Sequence, residues 1–302
     1  MTHIDIAGAL RGRIGCSEIA AALGVSQYKT PYQLWLEKTG RMEQEPPSLA
    51  MRLGVPLEPV IKTLYEERTG KKLRRSHKEL THPTLPLVGH LDYVVVGEKR
   101  LVDCKSTLSF GGRRRYGADE TDQLPEEHLC QGQGYLLLSG AESIDFAVLM
   151  AGPEFRVFTV DSDADMQRLI EEGVRRFWTS VETDTPPPLT NGEDADLAYP
   201  LSTREKAITA TPTQADIAAS LRALRAEIAA KTEMAEAAVT SLKSYMEDGE
   251  VLLDAAGEKL CSWKSQTAKR IDATRLKTEA PDVYGAYLKE TTSRVFRLAG
   301  DR

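Results

Sequence analysis

The sequence predicts an α/β fold, in which a mixed β-sheet core is flanked by helices and followed by a C-terminal helical arm and hairpin. Apolar residues recur at helical spacing over residues 48–69 and 163–179. Between them lie two pairs of short runs rich in β-branched and aromatic residues, with glycine in each connection. Helices that alternate with strand pairs in this way favour a sheet covered by helices. The paired runs are residues 87–96 with 100–107, and residues 144–151 with 155–161.

The segment before the sheet is predicted to be helical. Two short helices come first, and Ser17 is expected to cap the first of them. In the longer helix over residues 48–69, Gly54 and Pro56 predict either a kink near Gly54 or a division into two shorter helices. A further helix over residues 125–139 is predicted between the two strand pairs.

The C-terminal third differs in character from the part before it. Residues 183–198 are acidic and contain three consecutive prolines, which predicts a linker or an extended arm. A long helix that begins near Thr211 and a hairpin over residues 250–266 follow. We therefore expect a domain over residues 1–195 and an extension over residues 196–302, whose role as an oligomer arm, a DNA clamp or a dock stays open.

Composition excludes several classes of protein. The four cysteines show no CxxC spacing, which argues against a disulfide framework, a zinc site or an iron–sulfur cluster and indicates reduced thiols. No apolar run approaches the ~20 residues that span a bilayer, so we expect no membrane association and a cytoplasmic location. The formal net charge of −6 still permits one basic DNA channel, because local charge decides such binding.

The predicted first hairpin carries a group of residues suited to metal-assisted chemistry. Asp92 lies on its first strand, and Asp103, Cys104 and Lys105 lie on its second. Alternation along a strand places Asp103 and Lys105 on one face and Cys104 on the other. Two carboxylates, with the Cys104 carbonyl as a third ligand, suit the hard ion Mg²⁺, and Lys105 could position or deprotonate an attacking water.

An aspartate followed by D-x-K is common by chance, so a surface hairpin with an ordinary ion pair is the simpler interpretation of these residues alone. Three further motifs surround the hairpin in the sequence. They are G-x-S-E-I at residues 15–19 with Y-K-T-P at 28–31, G-x-x-x-E at 54–58, and Q-x-Q at 131–133.

Together the four motifs resemble those of the lambda-exonuclease-type (YqaJ-like) phage recombination nucleases, a branch of the PD-(D/E)XK superfamily. The resemblance covers about residues 10–180, and it implies a restriction-endonuclease-like fold. There are two departures from the family pattern. The first is Asp103, where glutamate is more usual, and the second is the pair Gly132 and Gly134 beside Gln133, which is expected to loosen that helix. The motif residues carry over as metal carboxylates at Glu58, Asp92 and Asp103, a catalytic lysine at Lys105, and a glutamine that orients the lysine or the water at Gln131.

The resemblance also implies contacts with DNA. It assigns the 5′ phosphate to a pocket formed by Ser17 and by Arg13 or Arg11, although Ser17 could serve only as a helix cap. Arg113 and Arg114 lie just after the active-site strand and are expected to contact the phosphate backbone, the alternative being an ordinary exposed loop. Lys71, Lys72, Arg74 and Arg75 form a second basic run, which is interpreted as a solvated face.

We therefore expect a deoxyribonuclease that uses Mg²⁺, with Mn²⁺ as a possible substitute, and digests double-stranded DNA ends. By resemblance it works 5′ to 3′ in phage or prophage recombination, has a single-strand annealing protein as partner and can form a homotrimer. Two alternatives stay open. One is a repair or CRISPR-associated nuclease of the same superfamily, and the other is a non-catalytic DNA-binding assembly protein.

Overall fold

The computed structural model describes residues 12–43, 46–107, 109–151 and 154–299. It divides into two compact units, Met1–Ala198 and Tyr199–Arg302. The first unit has the predicted α/β architecture. Its strands are β1 (Ile14–Gly15), β2 (Leu73–Arg75), β3 (Glu79–Thr81), β4 (Leu87–His90), β5 (Tyr93–Val95), β6 (Arg100–Thr107), β7 (Ser143–Met150) and β8 (Glu154–Asp161). Its helices are α1 (Ile19–Leu23), α2 (Pro31–Lys38), α3 (Leu49–Thr69), α4 (Phe110–Arg113), α5 (Glu126–Ser139), α6 (Ala164–Glu182) and α7 (Gly192–Ala198).

The main sheet is mixed, as the sequence predicts. Its order is β2-β5-β6-β7-β8, in which β6 and β7 run parallel and the other neighbours run antiparallel. The parallel pair requires a crossover, and α5 supplies it. Helices α1, α2, α5 and α6 contribute to the apolar cluster on one face of this sheet, and α3 buries Ile61 and Tyr65 against the other. The site residues of β6 therefore lie between two helical layers.

The single strand predicted over residues 87–96 is wrong. The predicted strand is interrupted at Leu91 and Asp92. Its first part, β4, joins a small sheet of order β1-β4-β3, and its second part, β5, joins the main sheet. The carbonyl of Asp92 accepts a hydrogen bond from the amide of Ser76, and its carboxylate accepts one from the amide of Cys104 at 2.8 Å. Asp92 thus accepts hydrogen bonds outside the regular pairing of β-strands, and it lies at the junction of the two sheets.

Helix α3 is continuous, so the two shorter helices considered from Gly54 and Pro56 do not form. Pro56 and Pro59 both lie on the solvent-exposed side, where water can satisfy the carbonyls that lose their amide donors. Ser48 caps the start of the helix by accepting a hydrogen bond from the amide of Met51.

Two further local predictions are wrong. Ser17 is not a helix cap, because it lies exposed inside a 3₁₀ turn over Cys16–Glu18, and Glu18 instead accepts a hydrogen bond from the Gly15 amide. Residues 183–198 do not form only a linker, because they end in α7. The fully buried Asp194 of α7 accepts hydrogen bonds from the side chains of Thr30 and Thr190.

The second unit is built around a helix of 35 residues. Its elements are α8 (Pro212–Met246), β9 (Val251–Leu253), β10 (Lys259–Ser262), α9 (Ala273–Glu279) and α10 (Pro281–Ala286). The long helix and the hairpin were predicted, whereas α9 and α10 fall in a stretch whose polar sequence predicts no element. Within the described parts of the chain, none of the helices has the length and apolarity needed to cross a bilayer.

Candidate active site

The candidate site lies where β6 passes between α3 and the break after β4. Strand β6 supplies Asp103 and Lys105, α3 supplies Glu58, and the break supplies Asp92. The pairs Tyr93 with Val102 and Val94 with Leu101 set the register of β5 and β6, which brings Asp92 alongside the middle of β6. The structure therefore brings together the four residues that the motifs single out.

Direct contacts link these groups to neighbouring cations and amides. The Lys105 ammonium lies 2.6 Å from Oδ2 of Asp103, whose side chain is only 3% exposed. The Cys104 thiol points to the opposite face, toward α3, where its Sγ lies 4.0 Å from the Glu58 carbonyl oxygen. Alternation along β6 thus separates Cys104 from the side chains on either side of it, as predicted.

Burial, and in addition the charge of Asp103, disfavours the anionic forms of Asp92 and Glu58. Burial, and after it the negative charge of Asp103, raises the pKa of Asp92 to about 7. Burial also raises the pKa of Glu58, and Asp103 adds to this effect while Arg75 and Lys105 oppose it. The three acidic groups of the site thus outnumber its two cations, Arg75 and Lys105.

The donor set fits a hard divalent cation. Oδ2 of Asp103 is buried and, among the described residues, accepts no hydrogen bond of normal geometry despite its close approach to Lys105. Carboxylate and carbonyl oxygens are the ligands that Mg²⁺ prefers. Within the part of the chain that the structure describes, no three His, Cys, Asp or Glu side chains are already arranged to enclose an ion. Asp103 instead contacts Lys105, and Glu58 contacts Arg75.

Arg75 is a site residue that the sequence interpretation missed. Its guanidinium lies 2.9 Å from the Glu58 carboxylate and 5.9 Å from the centre of the Tyr93 ring. The basic run that contains it was interpreted as a solvated face, but β2 pairs with β5 and brings Arg75 opposite Tyr93. The position of Arg75 in the sequence does not predict this contact, because the contact forms only when β2 pairs with β5 in the folded sheet.

Gln131 belongs to a buried chain of hydrogen bonds that leads toward Asp92. Its amide nitrogen donates to the Tyr135 hydroxyl at 2.9 Å, and that hydroxyl donates to the His90 carbonyl, also at 2.9 Å. Tyr135, one helical turn after Gln131, was missed, although i and i+4 spacing on a helix could have suggested the pair. These two hydrogen bonds connect α5 to the end of β4, two residues before Asp92.

Close packing around the hydrogen-bonded residues Gln131, Tyr135 and His90 depends on two glycines. An added Cβ at Gly89 would lie 2.9 Å from the Tyr135 ring, and one at Gly134 would lie 2.4 Å from Cδ1 of Ile19. We expected glycines to loosen α5, but the helix is continuous over Glu126–Ser139. Gly134 serves instead to let the N-terminal motif approach α5.

Among the described residues, the side chains predicted to contact DNA do not contact one another in a common pocket. Arg13 forms an ion pair with Glu79 at 2.6 Å, and Glu79 also contacts His90 at 3.2 Å. Arg113 contacts Glu154 at 2.5 Å. Ser17 and Arg114 lie exposed, while Arg11 lies outside the described residues. Their DNA contacts stay predictions.

Comparison with known proteins identifies the family. Residues 8–142 match the model of the YqaJ-like viral recombinase domain. The chain is 30% identical over 297 residues to the uncharacterized protein YqaJ of Bacillus subtilis strain 168. The alignment covers 95% of this chain and 91% of that protein.

Two solved structures are similar to part of the chain. One is an alkaline exonuclease from Laribacter hongkongensis, with a TM-score of 0.49 and 17% identity over 59% of this chain and 92% of that one. The other is a phage-related exonuclease from Haemophilus somnus 129PT, with a TM-score of 0.43 and 14% identity over 59% of this chain and 99% of that one. The family match and the Bacillus relative confirm the YqaJ-like resemblance drawn from the motifs, and the chain belongs to the YqaJ-like viral recombinase family.

Proposed function

We propose that this chain is a metal-dependent exonuclease that digests double-stranded DNA from its ends, 5′ to 3′, in phage or prophage recombination. One observation carries the metal-dependent chemistry. Three acidic side chains from α3, β6 and the break after β4 lie close together with Lys105 beside them, so that the charge of Asp103 adds to the burial that raises the pKa of Glu58 and of Asp92. Such a group is costly to bury without a cation to balance it.

The residues have distinct proposed roles. Glu58, Asp92, Asp103 and the carbonyl of Cys104 would hold Mg²⁺, with Mn²⁺ as a substitute. When bound, the ion would lower the pKa of a water molecule that it holds, and it would stabilise negative charge on the phosphoryl oxygens. Lys105, which contacts the Asp103 carboxylate, would as an ammonium donate a hydrogen bond to the attacked phosphate, or would in its neutral amine form receive a proton from the water.

Neighbouring residues support this arrangement. The Gln131–Tyr135–His90 chain fixes the backbone just before Asp92, so we assign Gln131 the role of orienting the site. Arg75 neutralises Glu58 before an ion binds, and its release would leave a guanidinium free to contact a phosphate.

The polarity, the biological setting and the partners come from the family resemblance. Ser17 with Arg13 or Arg11 would hold the 5′ phosphate, and Arg113 and Arg114 would contact the backbone. Arg13 and Arg113 now pair with Glu79 and Glu154, so DNA would have to displace those carboxylates. A single-strand annealing protein as partner and a homotrimer around the DNA belong to the same proposal.

The test is digestion of a linear duplex labelled at one 5′ or one 3′ end, with Mg²⁺ and with EDTA. We expect Mg²⁺-dependent release of the 5′ label as mononucleotide, faster when that end carries a phosphate. Release of the 3′ label first would contradict the polarity. Internal fragments would favour a different nuclease activity, and intact DNA under all conditions, with binding preserved, would favour a DNA-binding assembly protein.

A further inference from the structure

The Y-K-T-P motif begins with a tyrosine, Tyr28, that has no place in the core. Tyr28 is 73% exposed, whereas Tyr32 is 7% exposed and stacks on Trp35 with ring centres 5.9 Å apart. Packing therefore explains Tyr32 but not Tyr28. A single exposed aromatic side chain is common on protein surfaces, so its surroundings decide whether it has a function.

Arg115 and Glu127 hold the Tyr28 ring in a fixed position. Nη1 of Arg115 donates a hydrogen bond to the Tyr28 hydroxyl at 2.7 Å, and the guanidinium carbon lies over the ring, 5.5 Å from its centre. Nη2 of Arg115 donates to the Glu127 carboxylate at 2.7 Å, and the Gln27 amide donates to the same carboxylate at 3.2 Å. Glu127 thus anchors both the guanidinium and the backbone beside Tyr28, while the ring stays largely exposed.

Helix α5 connects this ring to the candidate active site. Glu127, Gln131 and Tyr135 follow one another at four-residue spacing, so they lie along one side of α5. The Tyr135 hydroxyl donates to the His90 carbonyl, two residues before Asp92. At 1.5 Å per residue, Glu127 and Tyr135 lie about 12 Å apart along the helix. This separation is about the length of three or four stacked nucleotides of one strand.

A second route of contacts starts at Tyr116, which follows the arginine that holds Tyr28. The Tyr116 hydroxyl lies 2.8 Å from Nε2 of His128, whose ring stacks on that of Phe146 with ring centres 5.8 Å apart. Phe146 is the partner of Asp103 in the parallel pairing of β6 and β7, and residues paired in this way place their side chains on the same face of a sheet. The ring of Tyr28 and the carboxylate of Asp103 therefore lie on the same side of the main sheet.

We propose, on the basis of the nuclease activity given above, that Tyr28 stacks on a nucleobase at the end of the DNA and, with Arg115 beside it, holds that end at the candidate active site. A base pair inside a duplex is already stacked on both faces, so an exposed ring can take only a terminal or an unpaired base. Because every base has an aromatic face, such stacking tolerates any sequence, as an enzyme that shortens DNA stepwise requires. The contacts to Arg115 fix the ring before DNA binds, so little side-chain freedom is lost on binding.

The affinity of the full-length protein for a duplex end, measured by fluorescence anisotropy in EDTA, tests the stacking without digestion. Tyr28→Ala removes the ring, whereas Tyr28→Phe keeps the ring and loses only the hydroxyl that bonds to Arg115. Val25→Ala is the control, because it shortens a 44% exposed apolar side chain three residues earlier in the chain. Each protein is also measured on duplexes that lack a single base at one of the first four positions of either strand.

We expect Tyr28→Ala to weaken binding about tenfold, Tyr28→Phe to recover most of that loss and Val25→Ala to match the wild type. Loss of one particular base should weaken binding by the wild type to a similar degree and leave the affinity of Tyr28→Ala unchanged, because the ring and that base form a single contact. The stacking is refuted if Tyr28→Ala binds as tightly as the wild type, or if no missing base affects the two proteins differently.

Digestion of the same duplex by the wild type with Mg²⁺ separates the stacking from the nuclease activity. A wild type that digests DNA, with binding that does not depend on Tyr28, would refute the stacking alone. Binding that depends on Tyr28 without any digestion would refute the nuclease activity alone.

Discussion

A largely buried histidine near Lys105 of the candidate site should make the stability of the first unit depend on pH. The ring of His128 lies 5.8 Å from the centre of the Phe146 ring, and its Nε2 is 2.8 Å from the Tyr116 hydroxyl. Burial, together with the positive charges of Lys105 and Arg115, lowers the pKa of His128 from 6.5 to about 3. The folded protein therefore keeps this imidazole neutral well into the acidic range.

The sign and size of the effect follow from proton linkage. The folded-state pKa lies below that of the unfolded chain, so the contribution of His128 is complete above pH 6.5 and is lost as the pH falls toward 3. Between pH 7 and pH 5 the unfolded chain takes up most of one proton at this position and the folded chain takes up almost none. The corresponding loss of unfolding free energy is about 2 kcal/mol.

The assay compares the wild type with His128→Gln, whose amide can still bond to Tyr116 but does not titrate. Urea unfolding at pH 7 and pH 5 gives the free energy of unfolding of each protein. Trp263 of the second unit is replaced by phenylalanine in both proteins, so that the fluorescence of Trp35 and Trp178 reports the first unit. The wild type should lose about 2 kcal/mol more than the variant over this interval. Equal losses in the two proteins would refute the reasoning, since they would show that the folded state protonates His128 as readily as the unfolded chain does.

Two further predictions concern packing and buried hydrogen bonds in the first unit. Gly134→Ala should lower the free energy of unfolding by about 1–3 kcal/mol, because its Cβ would meet Ile19 at 2.4 Å, whereas Gly54→Ala, with nothing within 4 Å of its Cβ, should raise it by about 0.5–1 kcal/mol. Tyr65→Phe removes a 2.6 Å hydrogen bond to the buried Asp145 carboxylate and should cost about 1–3 kcal/mol.

Urea unfolding at pH 7 measures all three variants against the wild type. Thr63→Val is a matched control for the lost hydroxyl, because the Thr63 hydroxyl donates to the Pro59 carbonyl of its own helix on an exposed face. The packing argument fails if the two alanine variants shift stability in the same direction. A Tyr65→Phe protein no less stable than the Thr63→Val protein would contradict the role given to the buried hydroxyl.

The features that the sequence predicts correctly depend on local patterns. Residues 100–107 alternate so that Asp103 and Lys105 share a face, and this alternation needs only the extended backbone of β6. The turn before β6 contains Gly97 with φ of +84°, a conformation that favours glycine, so the hairpin between β5 and β6 is readable from composition. The long helix α8 begins where Thr211 caps it and Pro212 opens it, another local signal.

The features that sequence reasoning misses depend on contacts between distant segments. The apolar run over residues 87–96 gives no sign of its break, because the break is stabilised by bonds from Asp92 to Ser76 and Cys104. Arg75 reaches Glu58 only because β2 adds to the edge of the main sheet. The helix that ends the first unit is held by the buried Asp194 and its bond to Thr30, 164 residues away.

The central claim is that Lys105 and its neighbouring carboxylates form the catalytic centre of a metal-dependent nuclease. The most direct test is the rate at which Lys105→Ala digests a 5′-phosphorylated duplex with Mg²⁺, with DNA affinity measured in EDTA. Lys99→Ala is the matched control, because Lys99 pairs with Glu142 on the exposed turn before the same strand. We predict that Lys105→Ala lowers the rate by about 10²-fold or more with DNA affinity and fold preserved, and that Lys99→Ala digests at the wild-type rate. A folded Lys105→Ala protein that digests DNA as fast as the wild type would contradict the assignment of the active site.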